Sequence, residues 1–280
     1  MLPLILSMTL WGTLGVFVLW SGLAAIDVAF YRCLIGTLLI GCWLVKSKQR
    51  INLDRSIAIV ALAGIFLVLN WVFLFKSFQV STITIGNISY YLQPIILIIL
   101  GIFIYQEKVN LQKWMLISLA LGGVLLTIDM RNLSSPNILL GVLFALIAAF
   151  LYSLLTVLMK NINLNYFKVI FIQLVIGVII LLPFVHFQSL SSSAIVCLMI
   201  IGVVHTLLAY FLYYNAIKKT SFTQIAVLSY LDPIVAIASD VIFFNRHLDF
   251  YQIVGVVLTF AALYLLVTTS RTSVRAVEAL

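Results

Sequence analysis

Residues 91–94 read Tyr-Leu-Gln-Pro, and residues 230–233 read Tyr-Leu-Asp-Pro. The two stretches are 139 residues apart, which is about half of the 280-residue chain. The same offset aligns Thr84 with Thr223, and each tetrapeptide lies inside a long apolar run. The pattern predicts two repeats, each with a proline inside a membrane-spanning helix.

The composition indicates a membrane protein. Hydrophobic residues make up 64% of the chain and charged residues 9%, whereas soluble domains carry roughly 25% charged residues. So few charges could not cover a core with a wettable surface, and the lipid bilayer removes that need. The net charge of +8 does not favour nucleic acid binding, because the basic residues lie between apolar runs and form no stripe with aromatics.

Ten apolar runs are each long enough to cross a bilayer, which takes about 20 helical residues. We number them as spans 1 to 10. They lie at 3–20, 28–45, 56–75, 83–104, 111–128, 137–158, 166–186, 193–214, 222–244 and 249–268. No basic residue precedes the first run, so we predict a transmembrane helix there and not a cleavable signal peptide.

The loop charges predict the orientation. With a cytoplasmic N-terminus, twelve Lys and Arg residues lie in inside segments, and only Lys76, Arg131 and Arg246 lie outside. Cytoplasmic loops carry the excess of positive charge. Both termini are therefore expected in the cytoplasm, and ten crossings satisfy that requirement.

These observations predict an all-α integral membrane protein with ten transmembrane helices in two inverted five-helix repeats. Inversion follows because five is an odd number of crossings. We expect the first repeat at 1–133, the second at 134–270 and a frayed cytoplasmic tail at 271–280. In transporters built this way, the substrate site lies near the midplane between the halves.

Pro94 and Pro233 are candidate hinges. Proline cannot donate to the helical ladder and displaces the carbonyl four residues back, which belongs to Tyr90 or Ser229. In hydrocarbon a freed carbonyl must face protein or water. The prolines could line a cavity and act as hinges, or could only shape the packing of helices.

Arg32 and Asp232 are predicted to lie well inside the bilayer, where a charge costs about 2.5–3.5 kcal/mol. Asp232 could bind a substrate amine or take up a proton, and Arg32 could bind a carboxylate. Two structural alternatives are an Arg–Asp or Arg–carbonyl contact that holds two helices together and, for Arg32, extension of the side chain to the membrane interface.

Other polar and aromatic residues in the spans are candidates for a cavity lining, with helix packing as the alternative. Asn87 and Tyr91 share one face of span 4, and His205 in span 8 could handle protons. The remaining candidates are Trp11, Asn70, Tyr90, Tyr152, Gln173, Tyr210, Ser229 and Tyr230.

Common catalytic signatures are absent from the sequence. It contains no G-x-x-x-x-G-K-[ST], no H-E-x-x-H and no G-x-S-x-G. We therefore predict no cofactor, no bound metal and no enzyme activity.

Several short motifs, in order and spacing, resemble the drug/metabolite transporter superfamily and its EamA-type ten-helix branch. They are Leu10-Trp11-Gly12, the two Tyr-Leu-x-Pro stretches, Glu107 after the first proline, Gly122-Gly123-Val124, and His205-Thr206-x-x-Ala209-Tyr210. The resemblance covers essentially the whole chain. It implies a ten-helix basket with a central cavity that moves amino acids or similar metabolites, often outward. One departure is Arg246, where this family usually repeats the glutamate that matches Glu107.

The sequence therefore favours a secondary transporter, an exporter of amino acids or related metabolites that works by alternating access. Proton coupling is one option for its drive, and the family resemblance indicates the bacterial inner membrane. A membrane-embedded enzyme acting on lipid-linked substrates and a non-transporting receptor or scaffold are the alternatives. Substrate identity, direction of flow, coupling ion and oligomeric state stay open at this point.

Overall fold

The computed structural model describes residues 1–48, 55–81, 83–126, 137–244 and 250–278. All regular elements in these ranges are helical. They are α1 (Leu2–Ser21), α2 (Ala25–Lys46), α3 (Arg55–Val80), α4 (Ile83–Tyr90), α5 (Gln93–Tyr105), α6 (Leu111–Leu126), α7 (Ile138–Lys160), α8 (Tyr166–Leu181), α9 (Ser192–Ile200), α10 (Ala209–Ile217), α11 (Phe222–Ser229), α12 (Leu231–Phe244) and α13 (Phe250–Glu278), with a 3₁₀ turn at Leu182–Phe184 and a π-helix at Ile201–Leu208.

The helices account for the ten predicted spans. Within the described ranges, seven helical segments of at least 18 residues are long and apolar enough to cross a membrane, and three shorter apolar helices bring the total to ten. Spans 4, 8 and 9 are each built from consecutive pieces, namely α4 with α5, α9 with the π-helix and α10, and α11 with α12. The prediction of an all-α membrane protein with ten spans is confirmed.

The last helix extends beyond the predicted span. We expected it at 249–268 with a frayed tail, but α13 continues to Glu278. No glycine or proline follows Gly255 in the sequence, so the chain lacks the residues that most often end a helix.

Both prolines begin a new helix. Span 4 is interrupted by a turn at Tyr91 and Leu92, and α5 carries Pro94 in its first turn. Span 9 breaks at Tyr230, and α12 carries Pro233 near its start. The first turn suits proline because a backbone N–H there would have no helical partner. The structure therefore has two true helix breaks where the sequence indicated interruptions.

The outer surface is apolar and matches lipid. Phe103 is 80% exposed and Leu139 83% exposed, and many other large apolar side chains also lie on the surface. Such an extended apolar surface would be unfavourable in water. Between helices, small residues permit close contact: the hydroxyl of Ser77 on α3 donates to the backbone oxygen of Gly141 on α7 over 2.7 Å.

Two contacts show how the halves are related. The Tyr230 hydroxyl donates to the backbone oxygen of Tyr91 at 3.1 Å, and the Thr259 hydroxyl donates to that of Ala120 at 3.4 Å. Both pairs are separated by the repeat offset of 139 residues. Residues at equivalent positions of the two repeats can contact each other only near the symmetry axis that relates the repeats. The axis therefore passes between the two helix breaks and between α6 and α13.

The two membrane faces can be named by residues that lie at each. Glu107, after α5, contacts the start of α11, and this face is the Glu107 side. At the other face, Asp27 in the first turn of α2 accepts a hydrogen bond from the backbone N–H of His186 at 2.9 Å. We call this face the Asp27 side.

Candidate functional site

A cavity of about 260 Å³ lies between the two halves, at the helix breaks. Its volume is close to the lower end of small-molecule sites, which run from roughly 300 to 1,000 Å³. Twelve of the residues singled out from the sequence line it. They are Trp11, Arg32, Asn70, Tyr90, Tyr91, Pro94, Tyr152, Tyr210, Ser229, Tyr230, Asp232 and Pro233.

The cavity reaches from the midplane toward the Asp27 side. Arg32 lies in the first half of α2, and the lining residues of α3 run from Asn70 to Phe75 in its last half. Both positions are nearer the Asp27 side. Toward the Glu107 side, the fully buried hydroxyls of Thr156 and Tyr213 meet at 2.8 Å and separate the cavity from that face.

Asp232 brings a carboxylate to the cavity wall directly after the second helix break. Its side chain has no hydrogen bond and no salt bridge to any residue in the part of the chain that the structure describes. A carboxylate inside a membrane span is costly unless it finds a partner. A ligand or a proton could provide that partner.

Arg32 brings the opposite charge and is 7% exposed. Its Nε donates to the Thr206 hydroxyl at 3.0 Å, and its guanidinium carbon lies 4.6 Å from the centre of the Trp71 ring. Among the described residues it forms no salt bridge, so the Arg–Asp contact considered above is not made. Because Nε and the cation face are occupied, the two terminal nitrogens are the donors left for an anion.

The π-helix holds two of the cavity residues. The Thr206 hydroxyl, which receives Arg32, itself donates to the backbone oxygen of Ile201 at 2.9 Å, five residues back. The backbone oxygen of His205 accepts from the Trp11 indole at 3.0 Å. π-Helical turns occur frequently at functional sites, and here the widened turn positions a cation and an aromatic ring.

Aromatic rings form much of the remaining wall. The Trp11 ring centre is 5.0 Å from that of Tyr210 and 5.2 Å from that of Tyr213, and Tyr152 lies 6.4 Å from Tyr213. Tyr90 is held by the Asn70 amide, which donates to its hydroxyl at 3.1 Å. The site thus combines two separated charges with an aromatic surface.

Three candidates from the sequence do not line this cavity. Gln173 is buried and accepts a hydrogen bond from the Tyr214 hydroxyl. His205 is also buried, and its Nε2 lies 3.0 Å from the Thr13 hydroxyl. Asn87 lies on α4, one turn before Tyr91. Sequence spacing shows which residues share a helix face, but it does not show which neighbour that face meets.

The lining also includes residues that the sequence reasoning did not select. They are Met8, Leu14, Trp71, Leu74, Phe75 and Gln93. A signal did exist for Gln93, because the repeat offset pairs it with Asp232. For the apolar residues no signal separates a cavity lining from ordinary packing. Within the part of the chain that the structure describes, no cluster of His, Cys, Asp or Glu could hold a metal ion.

Comparison with known proteins identifies the family. The model of the EamA-like transporter family matches residues 1–129 and again residues 139–268. The chain belongs to this family. The two matches correspond to the two repeats, and the resemblance to the drug/metabolite transporter superfamily is confirmed.

Two relatives and one solved structure illustrate the likeness. An "Uncharacterized transporter YxxF" of Bacillus subtilis (strain 168) is 34% identical over 273 residues, covering 94% of this chain and 88% of that protein. A "Probable amino-acid metabolite efflux pump" of Escherichia coli (strain K12) is 26% identical over 190 residues, covering 62% and 63%. A solved crystal structure with 14% identity has a TM-score of 0.81 over 94% of this chain and 95% of that one, which shows a shared fold.

Family membership places the chain among multi-pass membrane transporters of small molecules. The same comparisons indicate a transporter and not an enzyme.

Proposed function

We propose that this protein is a secondary transporter that exports amino acids or related small metabolites by alternating access. The observation that carries the proposal is the cavity between the inverted halves, with Asp232 on its wall and without a protein partner in the described chain. In inverted-repeat transporters the substrate lies near the midplane, at discontinuous helices. Both helix breaks border this cavity.

The charges of the cavity suit a zwitterion. The Asp232 carboxylate would accept from a substrate ammonium group or carry a proton in its absence. The terminal nitrogens of Arg32 would bind a substrate carboxylate in the bidentate manner that guanidinium favours. The Trp11 and Tyr210 rings would contact the substrate's apolar part, and Pro94 and Pro233 would serve as hinges.

The amino-acid class and the outward direction are supported by the Escherichia coli relative, whose name describes an amino-acid metabolite efflux pump. The charge of the loops supports an inner-membrane orientation with both termini in the cytoplasm, which makes the Glu107 side cytoplasmic. The two family matches support repeats at 1–133 and 134–270. The boundary between these repeats lies outside the described residues.

Metabolite profiling tests the proposal. Cells expressing the parent protein, Asp232→Asn or an empty vector, at matched membrane levels, are compared for metabolites in the medium and in cell extracts. We expect one or more amino acids or close derivatives to be enriched outside the cells with the parent protein only. Enrichment inside the cells would reverse the direction, and no difference across a broad panel would contradict the proposal.

A matched control variant separates a loss of transport caused at Asp232 from a general effect on folding. Asp27→Asn makes the same acid-to-amide change at a buried aspartate outside the cavity, and its amide oxygen can still accept from the His186 N–H. We expect this variant to transport like the parent. Equal loss in both variants would show a general effect on folding, and normal transport by Asp232→Asn would remove Asp232 from the mechanism.

A further inference from the structure

Glu107 joins the two halves of the protein at one membrane face. It follows α5 of the first half and lies against the start of α11 of the second. One carboxylate oxygen accepts from the Phe222 backbone N–H at 2.8 Å, and the other accepts from the Thr223 N–H at 3.2 Å and the Thr223 hydroxyl at 2.8 Å. A carboxylate at a helix N-terminus is favoured by both the free N–H groups and the helix dipole.

At the start of α11, the Phe222 and Thr223 N–H groups need an acceptor from outside the helix. The Ser221 hydroxyl already accepts from the Gln224 N–H at 3.2 Å, and the Gln224 side chain accepts from the Ser221 N–H at 3.2 Å. In this capping box, Ser221 and Gln224 satisfy each other's hydrogen-bonding groups. The Phe222 and Thr223 N–H groups therefore receive their acceptor from the other half of the protein.

The Phe222 side chain closes the same junction. It is 1% exposed, and its ring centre lies 5.0 Å from that of Tyr105 at the end of α5. The Lys160 ammonium at the end of α7 lies 4.3 Å from the centre of the Phe222 ring and donates to the backbone oxygen of Thr220. Three helix ends thus converge on one aromatic side chain at the Glu107 side.

Two of these helices also reach the cavity at their other ends. α11 runs from Phe222 to Ser229, about 10 Å at 1.5 Å per residue, and Ser229 lines the cavity. α5 begins beside the cavity at Pro94 and ends at Tyr105. A path from the cavity to the Glu107 side that opens along α5 and α11 separates the far ends of these two helices. Separation breaks the Glu107 hydrogen bonds.

From these contacts we infer that Glu107 is a one-sided latch, a gating residue that holds the transporter closed at the Glu107 side. The inference rests on the alternating access proposed above. Its one-sidedness comes from the sequence: the repeat offset places Arg246 at the position equivalent to Glu107. A guanidinium has only donors and cannot accept from backbone N–H groups. Arg246 lies outside the described residues.

The consequence is a bias in the conformational equilibrium. The closed state at the Glu107 side is stabilised by charge-assisted hydrogen bonds for which the Arg246 side chain provides no equivalent. Losing one such bond changes an equilibrium by about tenfold or more. Glu107→Gln removes the charge and one of the two acceptor oxygens, so the balance should move toward states open at the Glu107 side.

Sided cysteine labelling tests the latch. Cys33, Cys42 and Cys197 are replaced by alanine, and Ser229→Cys reports the access to the cavity. A membrane-impermeant maleimide is applied to intact cells and to inverted membrane vesicles, with Lys108→Cys in the exposed loop marking the Glu107 side. With Glu107 intact, we expect slow labelling of the reporter from the Glu107 side. Glu107→Gln should raise that rate by about tenfold or more.

Two further variants complete the experiment. Thr223→Val removes one of the three hydrogen bonds to Glu107 and should raise the rate by about tenfold. This variant decides the question if Glu107→Gln does not reach the membrane. Lys108→Gln changes the neighbouring charge and should leave the rate unchanged. Rates within twofold of the parent for both Glu107→Gln and Thr223→Val would overturn the inference.

The labelling needs no substrate, so it separates the latch from the transport proposal. Labelling that responds to Glu107→Gln while no metabolite flux is found would support the latch and contradict the assigned transport. Flux that is present while labelling ignores both variants would overturn the latch alone.

Discussion

The two helix breaks are equivalent in the repeat but differ in chemistry. In the first, Gln93 is buried, and its side chain donates to the Ser153 hydroxyl at 3.3 Å, which in turn donates to the Gln93 backbone oxygen at 3.2 Å. In the second, Asp232 lines the same cavity as Gln93 but has no such partner in the described chain. The two breaks share one backbone arrangement, but the amide of the first is satisfied by a neighbouring helix and the carboxylate of the second is not satisfied within the described chain.

The cation is also on one side only. Arg32 belongs to the first half, and the repeat offset pairs it with Phe171, an apolar residue. The cavity therefore has its cation from the first half and its anion from the second. Motion of one half against the other would change the separation of the two charges, which gives a bound zwitterion different contacts in different states.

Making the two breaks alike should have the largest effect. Asp232→Gln gives both breaks an amide and removes the only carboxylate among the described residues that line the cavity. We expect export to fall by about 100-fold, the size expected when a buried charged contact is lost, with unchanged protein in the membrane. Flux per unit of inserted protein measures the effect. Adding Gln93→Asp should not restore export, and restoration would show that the two breaks are interchangeable.

Changing the cation should have the next largest effect. Arg32→Lys keeps the charge but loses the Nε bond to Thr206 and the planar fork of donors. We expect the apparent KM for export to rise by about tenfold, the cost of one charge-assisted hydrogen bond, with a smaller change in maximal rate. Concentration-dependent flux separates the two parameters. Thr206→Val should raise KM in the same direction and by less. A pure fall in rate would contradict a role in binding.

Disturbing the structural break should affect stability more than transport. Ser153→Ala leaves the Gln93 amide without its hydroxyl partner and should lower the free energy of unfolding by about 1–3 kcal/mol. Thermal unfolding in detergent measures the loss, and export per folded molecule should stay within about threefold of the parent. A large loss of export with normal stability would place Gln93 in the binding machinery beside Asp232.

The contact on the axis between the breaks should matter least. Tyr230→Phe removes the hydroxyl that donates to the Tyr91 backbone oxygen, a loss of about 0.5–1.5 kcal/mol. Thermal unfolding should show a small decrease, with export within about twofold. A large effect on export would indicate that this hydrogen bond changes partner during the transport cycle.

The hydrophobic pattern and the repeat predicted much of this molecule. Ten spans, the all-helical class and the breaks near Pro94 and Pro233 follow from the length of apolar runs and the missing N–H of proline. Most of the residues that line the cavity could also be predicted, because polar and charged residues inside a span must face protein or water. The match to the EamA-like transporter family then identified the chain as a transporter.

Other features of the site could not be predicted, because they depend on which helices contact each other in the tertiary structure. His205 and Gln173 looked like cavity residues from their position in spans, but each is buried against another helix. Leu74 and Phe75 line the cavity although nothing in their chemistry separates them from packing residues. The π-helix that holds Arg32 and Trp11 has no signature in the hydrophobic pattern, because it differs from an α-helix by a single backbone register.

The sequence alone therefore determined the solvent, the number of crossings, the duplication and the residue types able to carry charge into the membrane. These follow from transfer free energies and from local backbone chemistry, which each residue carries with it. Only the tertiary structure decided that Gln93 is satisfied by Ser153 while Asp232 has no partner in the described chain, and that Glu107 of one half caps a helix of the other. Such pairings depend on distances between segments far apart in the chain, and local patterns do not contain them.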